Sequence, residues 1–98
     1  MRIEKNQEGK KLNLAVIGRL DTTTAPELEQ ELKESLEGVK ELILDLAGLE
    51  YISSAGLRVL LAAQRRMNKQ GSMKLVNVNE LVMEVFEVTG FSTILTIE

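Results

Sequence analysis

Two segments that contain apolar residues flank a polar stretch at the start of the chain, in MRIEKNQEGKKLNLAVIG. A polar turn around Gly9 divides this segment, so the pattern predicts two strands that pair as an antiparallel hairpin. In the second strand, between Leu12 and Ile17, apolar residues occur at both odd-numbered and even-numbered positions. We therefore expect that strand to be covered on both faces for most of its length and to end at Gly18.

The next segment, RLDTTTAPELEQELKESLEG, has a period close to four. Its leucines form a single apolar stripe on a charged background, which predicts an amphipathic helix. The stripe consists of Leu28, Leu32 and Leu36. Thr24 and Glu27 have the spacing of a capping box, and Pro26 falls in the first turn, where its missing amide hydrogen costs little. Gly38 is placed to end the helix.

A buried strand and a second helix are predicted in the middle of the chain. The run Leu42–Leu46 is apolar except at one aspartate, which is typical of a central strand. Residues 47–52 are predicted to form a loop. A helix then begins at Ser53 or Ser54 and ends at Gly71. The apolar residues predicted to form its inner face are Leu57, Leu60, Leu61 and Met67.

The last quarter of the chain predicts a strand, a helix and a final strand. SMKLVNV has the pattern of a strand, NELVMEVFEVTG that of a short helix capped by Asn79 and ended by Gly90, and STILTI that of a strand. The residues predicted to face inward from this helix are Leu81, Val82, Val85 and Phe86. The element order is then β-β-α-β-α-β-α-β. It implies one α/β domain over residues 1–98, with a mixed, mostly parallel sheet of four to five strands and about three main helices.

Composition narrows the chemistry available to this domain. Hydrophobic residues make up 44% of the chain and aromatic residues 3%, so aliphatic side chains must build the core. The absence of cysteine and histidine removes disulfides, thiolate catalysis, and the commonest general base and metal ligand. The net charge of −3 is not that of a typical nucleic-acid-binding protein, and no apolar stretch approaches the roughly 18 residues of a membrane span. We expect a cytoplasmic domain without a cofactor, direct nucleic-acid contact or membrane insertion.

Two adjacent serines stand at the start of the second helix, in the stretch ISSAGLRVLL. A serine before an apolar periodic stretch commonly caps a helix, and either Ser53 or Ser54 can do so. One cap needs only one hydroxyl, however, and Ala55 and Gly56 keep the helix entrance small and open. A phosphate on a first-turn serine would lie near free amides at the positive end of the helix dipole, and would add about −1.5 to −2 charges. The pair is therefore interpreted as a helix cap or as a site of covalent modification.

A catalytic interpretation of the serines has less support. The stretch lacks the Gly-x-Ser-x-Gly elbow, and without histidine no Ser-His-Asp triad can form. A Ser–Lys arrangement stays open, although nothing in the sequence pairs a lysine with these serines. We therefore predict a binding protein and not an enzyme.

Three blocks of the sequence resemble the STAS domain family, in the form of its anti-sigma factor antagonists. The family's loop before the first helix is matched by GRLDTTTAPEL. Its signature strand, loop and helix are matched by LILDLAGLEYISSAGLRVLL, and its closing segment is matched by LVNVNELVMEVFEVTGF. The resemblance covers nearly the whole chain and is most specific in the middle block. It implies that Ser54 is a phosphoacceptor, two residues before Gly56. Ser53 stands where many kinase-regulated members carry Asp, and it is a second candidate acceptor.

What the resemblance implies is a partner-switching protein. The unphosphorylated form would bind an anti-sigma factor, often a serine kinase, and so free a sigma factor. Phosphorylation would break the complex, and a PP2C-type phosphatase would reset it. The implied partner surface consists of Asp21, Thr22, Thr23, Ser53, Ser54, Ala55, Gly56 and Arg58. The alternative is an interaction subunit of a transport or signalling complex that uses the same surface without a phosphorylation switch.

Two residues of this surface have a second interpretation. Asp21 belongs either to the partner surface or only to the turn that it forms with the threonines after it. Arg58 lies one helical turn beyond Ser54, so it is either a solvated helix residue or a neighbour of the phosphate at i+4 spacing.

Overall fold

The computed structural model describes residues 1–98 as five strands, three α-helices and one short 3-10 helix. The strands are β1 (Arg2–Glu8), β2 (Lys11–Leu20), β3 (Glu41–Asp45), β4 (Leu49–Ile52) and β5 (Ser72–Val76). The helices are α1 (Ala25–Ser35), α2 (Ser54–Gln70) and α3 (Glu80–Thr89), and the 3-10 helix covers Phe91–Thr93. The predicted α/β class, mixed sheet and three main helices are confirmed. None of the helices combines the length and apolar character that crossing a membrane requires.

The sheet has the strand order β1-β2-β3-β5. β1 and β2 form the predicted antiparallel hairpin, and β2, β3 and β5 are parallel to one another. β4 pairs in parallel with the last residues of β2, from Gly18 to Leu20. Because β2 and β4 run in the same direction, their carboxyl ends lie together at one edge. α2 begins at this edge, separated from β4 by Ser53 alone.

The helices pack against one face of the sheet. Successive side chains of β2 point to opposite faces of the sheet. Those on one face are fully buried, and those on the other face are half-buried. The buried set is Leu12, Leu14 and Val16, and the half-buried set is Asn13, Ala15 and Ile17. The buried apolar residues of all three helices belong to a single core cluster of 24 buried residues. The prediction that β2 is covered on both faces is therefore wrong, because no helix packs on its second face.

The end of β2 corrects two further predictions. Gly18 does not end the strand, since its φ of 98° and a shift of register after it form a bulge, and the strand continues to Leu20. The continued strand offers an edge to residues 49–52, which were predicted to be a loop and instead pair with it as β4. Leu49 and Ile52 are buried at the two ends of β4, and the two residues between them are exposed.

The first turn of α1 is built differently from the predicted capping box. Thr24 is the N-cap residue, but its side chain does not cap the helix. Its Oγ1 instead accepts a hydrogen bond from the Asp21 amide and donates one to the Arg19 carbonyl, each at 2.8 Å. The capping-box prediction is wrong because the threonine hydroxyl closes the preceding turn. Pro26 lies in the first turn and the leucine stripe is buried, as predicted.

The predicted ends of α2 and α3 are confirmed. Ser53 is the N-cap of α2 and Gly71 its C-cap. Asn79 caps α3 by accepting a hydrogen bond from the first turn, and Gly90 follows the helix with a left-handed φ of 82°. On the inner face of α2, Leu61 is only half-buried, whereas the other three predicted residues are buried.

The C-terminal segment departs from the prediction in two places. Leu81, predicted to face inward from α3, is 64% exposed, whereas Val82 and Phe86 are buried. The predicted final strand STILTI is a 3-10 helix followed by an isolated bridge between Leu75 and Ile97. The observed element order is therefore β-β-α-β-β-α-β-α, with β4 gained and the final strand lost.

Candidate functional site

The start of α2 lies at the carboxyl ends of β2 and β4, where Ser53 caps the helix. The Ser53 amide donates to the Leu20 carbonyl at 2.9 Å, which ties the helix start to the end of β2. Its Oγ accepts from the Gly56 amide at 3.4 Å, and its carbonyl accepts the first helical hydrogen bond, from the Leu57 amide at 2.9 Å. Ser53 is half-buried and its side chain is engaged, so the capping interpretation of the serine pair applies to Ser53.

Ser54 is the first residue of α2 and carries no such structural contact. It is exposed, and its hydroxyl takes part in no hydrogen bond. The amides of Ser54 and Ala55 are also unpaired, and the first turn of α2 contains no acidic residue. An anion attached to Ser54 would therefore meet amide donors at the positive end of a 17-residue helix. The site can accept negative charge without breaking a contact of the fold.

Gly56, in the first turn of α2, is buried and lies close to the side chains of Leu20 and Ile52. A Cβ atom at this position would lie 2.7 Å from Leu20 Cγ and 2.9 Å from Ile52 Cγ1. Carbon atoms do not pack that closely, so glycine is what allows the helix start to rest on these two side chains. Gly56 was predicted to be part of the partner surface. The structure makes it a packing residue that positions Ser54.

The loop after β2 is a compact turn organised by Asp21. Its Oδ1 accepts hydrogen bonds from the Thr23 hydroxyl at 2.7 Å, the Thr23 amide at 3.0 Å and the Thr24 amide at 3.1 Å. These donors, the Thr23 hydroxyl foremost, hold the pKa of Asp21 below its ordinary value and outweigh the opposing effect of desolvation. Asp21 therefore orders this turn, and its part in a partner surface stays a prediction.

A shallow groove between the starts of α1 and α2 carries three of the predicted residues. Thr22, Ala55 and Arg58 line it, together with Pro26. Arg58 is exposed and forms no salt bridge within the chain. The groove joins the loop after β2 to the first turns of α2. We call the resulting face the α2-entrance surface, and it consists of Asp21, Thr22, Thr23, Ser54, Ala55 and Arg58.

The sequence interpretation missed an exposed pair beside this surface. Arg19 and Tyr51 face each other across the pairing of β2 with β4, and the Arg19 guanidinium lies 4.2 Å from the centroid of the Tyr51 ring. Arg19 Nε also lies 3.7 Å from Asp21 Oδ2. Arginine and tyrosine are frequent hot-spot residues of protein interfaces. No local pattern marks the pair, because only the strand pairing brings the two residues together.

The arrangement suits binding. No cluster of three or more histidine, cysteine or acidic side chains is placed to hold a metal ion. No lysine or carboxylate is hydrogen-bonded to the Ser54 hydroxyl. The surface presents a free hydroxyl among small side chains, flanked by an unpaired arginine.

Comparison with known sequences identifies relatives over most of the chain. The family model described as "Mlab, STAS domain" matches residues 3–96. BtrV of Bordetella bronchiseptica, which bears the name of an anti-sigma factor antagonist, is 40% identical over 79 residues, which are 79% of this chain and 68% of BtrV. The anti-sigma-B factor antagonist of Bacillus subtilis is 31% identical over 96 residues, which are 97% of this chain and 86% of that protein.

Solved structures have the same fold. An anti-sigma factor antagonist from Mycobacterium paratuberculosis gives a TM-score of 0.88 at 23% identity, over 98% of this chain and 83% of that one. The phosphorylated form of SpoIIAA from Bacillus gives a TM-score of 0.77 at 16% identity, over 99% of this chain and 91% of that one. The resemblance inferred from the sequence is confirmed by the family match and by the two relatives above 30% identity. This chain belongs to the STAS domain family, among its anti-sigma factor antagonists.

Proposed function

We propose that this protein is a cytoplasmic anti-sigma factor antagonist whose binding is switched off by phosphorylation of Ser54. The α2-entrance surface binds an anti-sigma factor of the serine kinase type and so releases the sigma factor. The kinase transfers the γ-phosphoryl group of ATP to Ser54 Oγ, the hydroxyl proton is lost and ADP leaves. A PP2C-type phosphatase hydrolyses the ester and restores the hydroxyl. The observation that carries this proposal is the exposed, unbonded hydroxyl of Ser54 at the first residue of α2.

The switch acts on the interface because the fold tolerates the added charge. A phosphate adds about −1.5 to −2 charges at the first residue of α2, beside Ala55 in the chain. Burying that charge against a partner is unfavourable unless the partner supplies matching donors. In the free protein, the unpaired first-turn amides and solvent stabilise the same charge. Phosphorylation is therefore expected to weaken the complex and to leave the domain folded.

The structure favours Ser54 over Ser53 as the acceptor. The Ser53 hydroxyl accepts from the Gly56 amide and is half-buried, so a kinase would have to open the helix cap to reach it. The Ser54 hydroxyl is one residue further on, exposed and unbonded. The smaller structural cost supports a single acceptor at position 54.

The test compares Ser54→Ala with the matched control Ser53→Ala, each incubated with the cognate kinase and ATP and analysed by mass spectrometry. Ser54→Ala should bind the anti-sigma factor but gain no phosphate. Ser53→Ala should still be phosphorylated, although it loses about 1 kcal/mol of stability because its helix cap is removed. Phosphorylation of Ser54→Ala to the wild-type extent would contradict the assignment and direct attention to Ser53.

Titration calorimetry tests the switch itself. Ser54→Asp should bind the anti-sigma factor more weakly than the wild type but more tightly than the phosphorylated protein, because a carboxylate carries one charge and lacks the tetrahedral oxygens. If the wild type and the phosphorylated protein bind equally well, the switch does not operate. That outcome would favour the alternative, an interaction subunit of a transport or signalling complex.

Arg58 is proposed as a neighbour of the phosphate, one turn along α2 from Ser54. A double-mutant cycle of phosphorylation against Arg58→Gln, read by thermal unfolding, should give a coupling of about 0.2–1 kcal/mol, since the pair is exposed to water and salt. Added salt should reduce this coupling. A coupling of zero at low salt would show that Arg58 is a solvated helix residue.

A further inference from the structure

The charges of this chain are unevenly distributed. All twelve Lys and Arg residues lie within residues 1–74, where eleven Asp and Glu residues nearly balance them. Residues 75–98 contain four Glu and no basic residue. α3 lies in this segment, so the helix itself carries three glutamates and no basic residue.

Residues 75–98 also contain most of the large apolar side chains that are exposed to solvent. Four large hydrophobic residues are exposed in the whole domain, and three of them lie here: Leu81 at 64%, Val88 at 81% and Ile94 at 50%. Leu81 and Val88 share one side of α3 with Val85, since the three have the spacing i, i+4 and i+7. Val85 is half-buried and packs against the core, whereas folding leaves Leu81 and Val88 exposed.

Carboxylates flank the apolar stripe. Glu80, Glu84 and Glu87 are exposed on α3, and none of them forms a salt bridge within the chain. A second shallow groove lies between the start of α3 and the loop before β4, and Glu50 contributes to its lining. We call this face the α3 surface, and it consists of Glu50, Glu80, Leu81, Glu84, Val85, Glu87 and Val88.

We propose that the α3 surface is a second docking surface, which binds a protein partner through an amphipathic helix that carries Lys and Arg beside its apolar stripe. The exposed side chains of Leu81 and Val88 supply the apolar contact, as in other helix-in-groove complexes. The unpaired glutamates supply electrostatic complementarity and select a basic partner. The negative charge that favours a basic helix disfavours two other occupants, which are a second copy of this chain and an anionic membrane. Symmetric pairing of two copies would place glutamates opposite glutamates, and an anionic membrane would repel them.

This surface is distinct from the one that contains Ser54. The Asn79 side chain donates to the Leu49 carbonyl at 2.8 Å, so the start of α3 is attached to the first residue of β4. Ser54 follows the opposite end of β4. A partner on α3 therefore need not cover the phosphoacceptor, and the inference does not depend on the phosphorylation switch.

The probe for this proposal is a fluorescein-labelled, amidated peptide of about 18 residues, built from leucine and lysine as five turns of an amphipathic helix. Its binding is measured by fluorescence anisotropy at low and high salt, and its contact residues are mapped by chemical-shift changes in amide NMR spectra. We expect the shifts to concentrate on α3 and on the loop before β4, and the affinity to fall as salt is added.

The variants separate the apolar from the electrostatic contribution. Leu81→Ser combined with Val88→Ser should weaken binding about tenfold, as truncation of central contacts does. Glu84→Gln combined with Glu87→Gln should weaken it about fivefold. The matched control, Glu34→Gln with Glu37→Gln, makes the same change of charge at two exposed positions outside α3, and it should stay within about twofold of the wild type, as should Ser54→Asp. All substituted side chains are exposed, and circular dichroism verifies that each variant is folded.

Several results would overturn the proposal. These are no binding of the peptide, shifts that map away from α3, or an equal loss in the glutamate control, which would indicate attraction to net charge alone. Binding to vesicles of anionic phospholipid that Leu81→Ser abolishes would make the stripe a membrane contact. A dimer in sedimentation that the same substitution dissociates would make it a contact between copies. Each of these outcomes leaves the Ser54 experiments unaffected.

Discussion

The contact of Gly56 with the sheet yields the sharpest prediction about how packing positions Ser54. The substitution Gly56→Ala adds one methyl group at the first turn of α2. Its carbon would lie 2.7 Å from Leu20 Cγ, 2.9 Å from Ile52 Cγ1 and 3.0 Å from Leu20 Cδ2. Both neighbours belong to the core, with 0% and 5% of their surfaces exposed, so neither can turn out into solvent. The helix start or the two side chains must therefore move.

Two opposing effects decide the sign. Overpacking of a well-packed core by one carbon costs about 1–3 kcal/mol. Replacing glycine by alanine in a helix stabilises by at most about 1 kcal/mol, and by less in the first turn, where the backbone is only partly constrained. The overpacking dominates, and we expect a net destabilisation of about 1–2 kcal/mol. For a domain of this size, each kcal/mol corresponds to a fall of roughly 4–8 °C in Tm.

Urea unfolding followed by circular dichroism measures this difference, with Ser54→Ala as the control in the same turn. Ser54 is exposed and its hydroxyl is unbonded, so the control should change the free energy of unfolding by about 0.5 kcal/mol or less. Gly56→Ala should lower the midpoint with an unchanged m-value. A Gly56→Ala protein as stable as the wild type would refute the argument that this close contact requires glycine.

Three further predictions concern other single positions. Gly71→Ala should destabilise the protein more than any other glycine-to-alanine change. The new Cβ would lie 2.0 Å from the Lys40 carbonyl oxygen, and the backbone there cannot shift cheaply. Thermal unfolding of the glycine-to-alanine variants ranks their stabilities. Asn79→Ala should cost about 1–2 kcal/mol in urea unfolding, because it removes both the cap of α3 and the bond to β4, and a neutral effect would contradict the capping contact. Asp21→Asn should lower stability at neutral pH, and the gap to the wild type should close as the pH falls below about 4. The pKa of Asp21 is lowered by folding, so its stabilisation is complete above the unfolded-state pKa and is lost as the carboxylate is protonated; a gap that does not vary with pH would exclude this cause.

Local sequence accounts for the elements whose ends depend on near neighbours. Asn79 and Gly90 bound α3 because a cap is formed by residues within one turn of each other. The buried stripe of α1 and the central position of β3 follow in the same way from periodicity. These interactions exist before any tertiary contact, so the pattern alone predicts them.

Long-range pairing accounts for what the pattern missed. β4 has only Leu49 and Ile52 as buried residues, too short a signal for a strand, and it forms because β2 continues beyond the bulge at Gly18. The stacking of Arg19 on Tyr51 follows from that pairing. Leu81 has the same apolar character as its buried neighbours, and only the seating of α3 on the core determines which of them remain in solvent.

The serine pair shows where the two kinds of information meet. The sequence by itself determined that a serine opens α2, that no histidine could activate it, and that small residues surround it. Which serine is free was decided only by the tertiary structure. The Leu20 carbonyl, from a strand distant in the chain, holds the Ser53 amide, and Gly56 rests on Leu20 and Ile52. These contacts set the orientation of the first turn, so that the Ser53 hydroxyl caps the helix and the Ser54 hydroxyl is left in solvent.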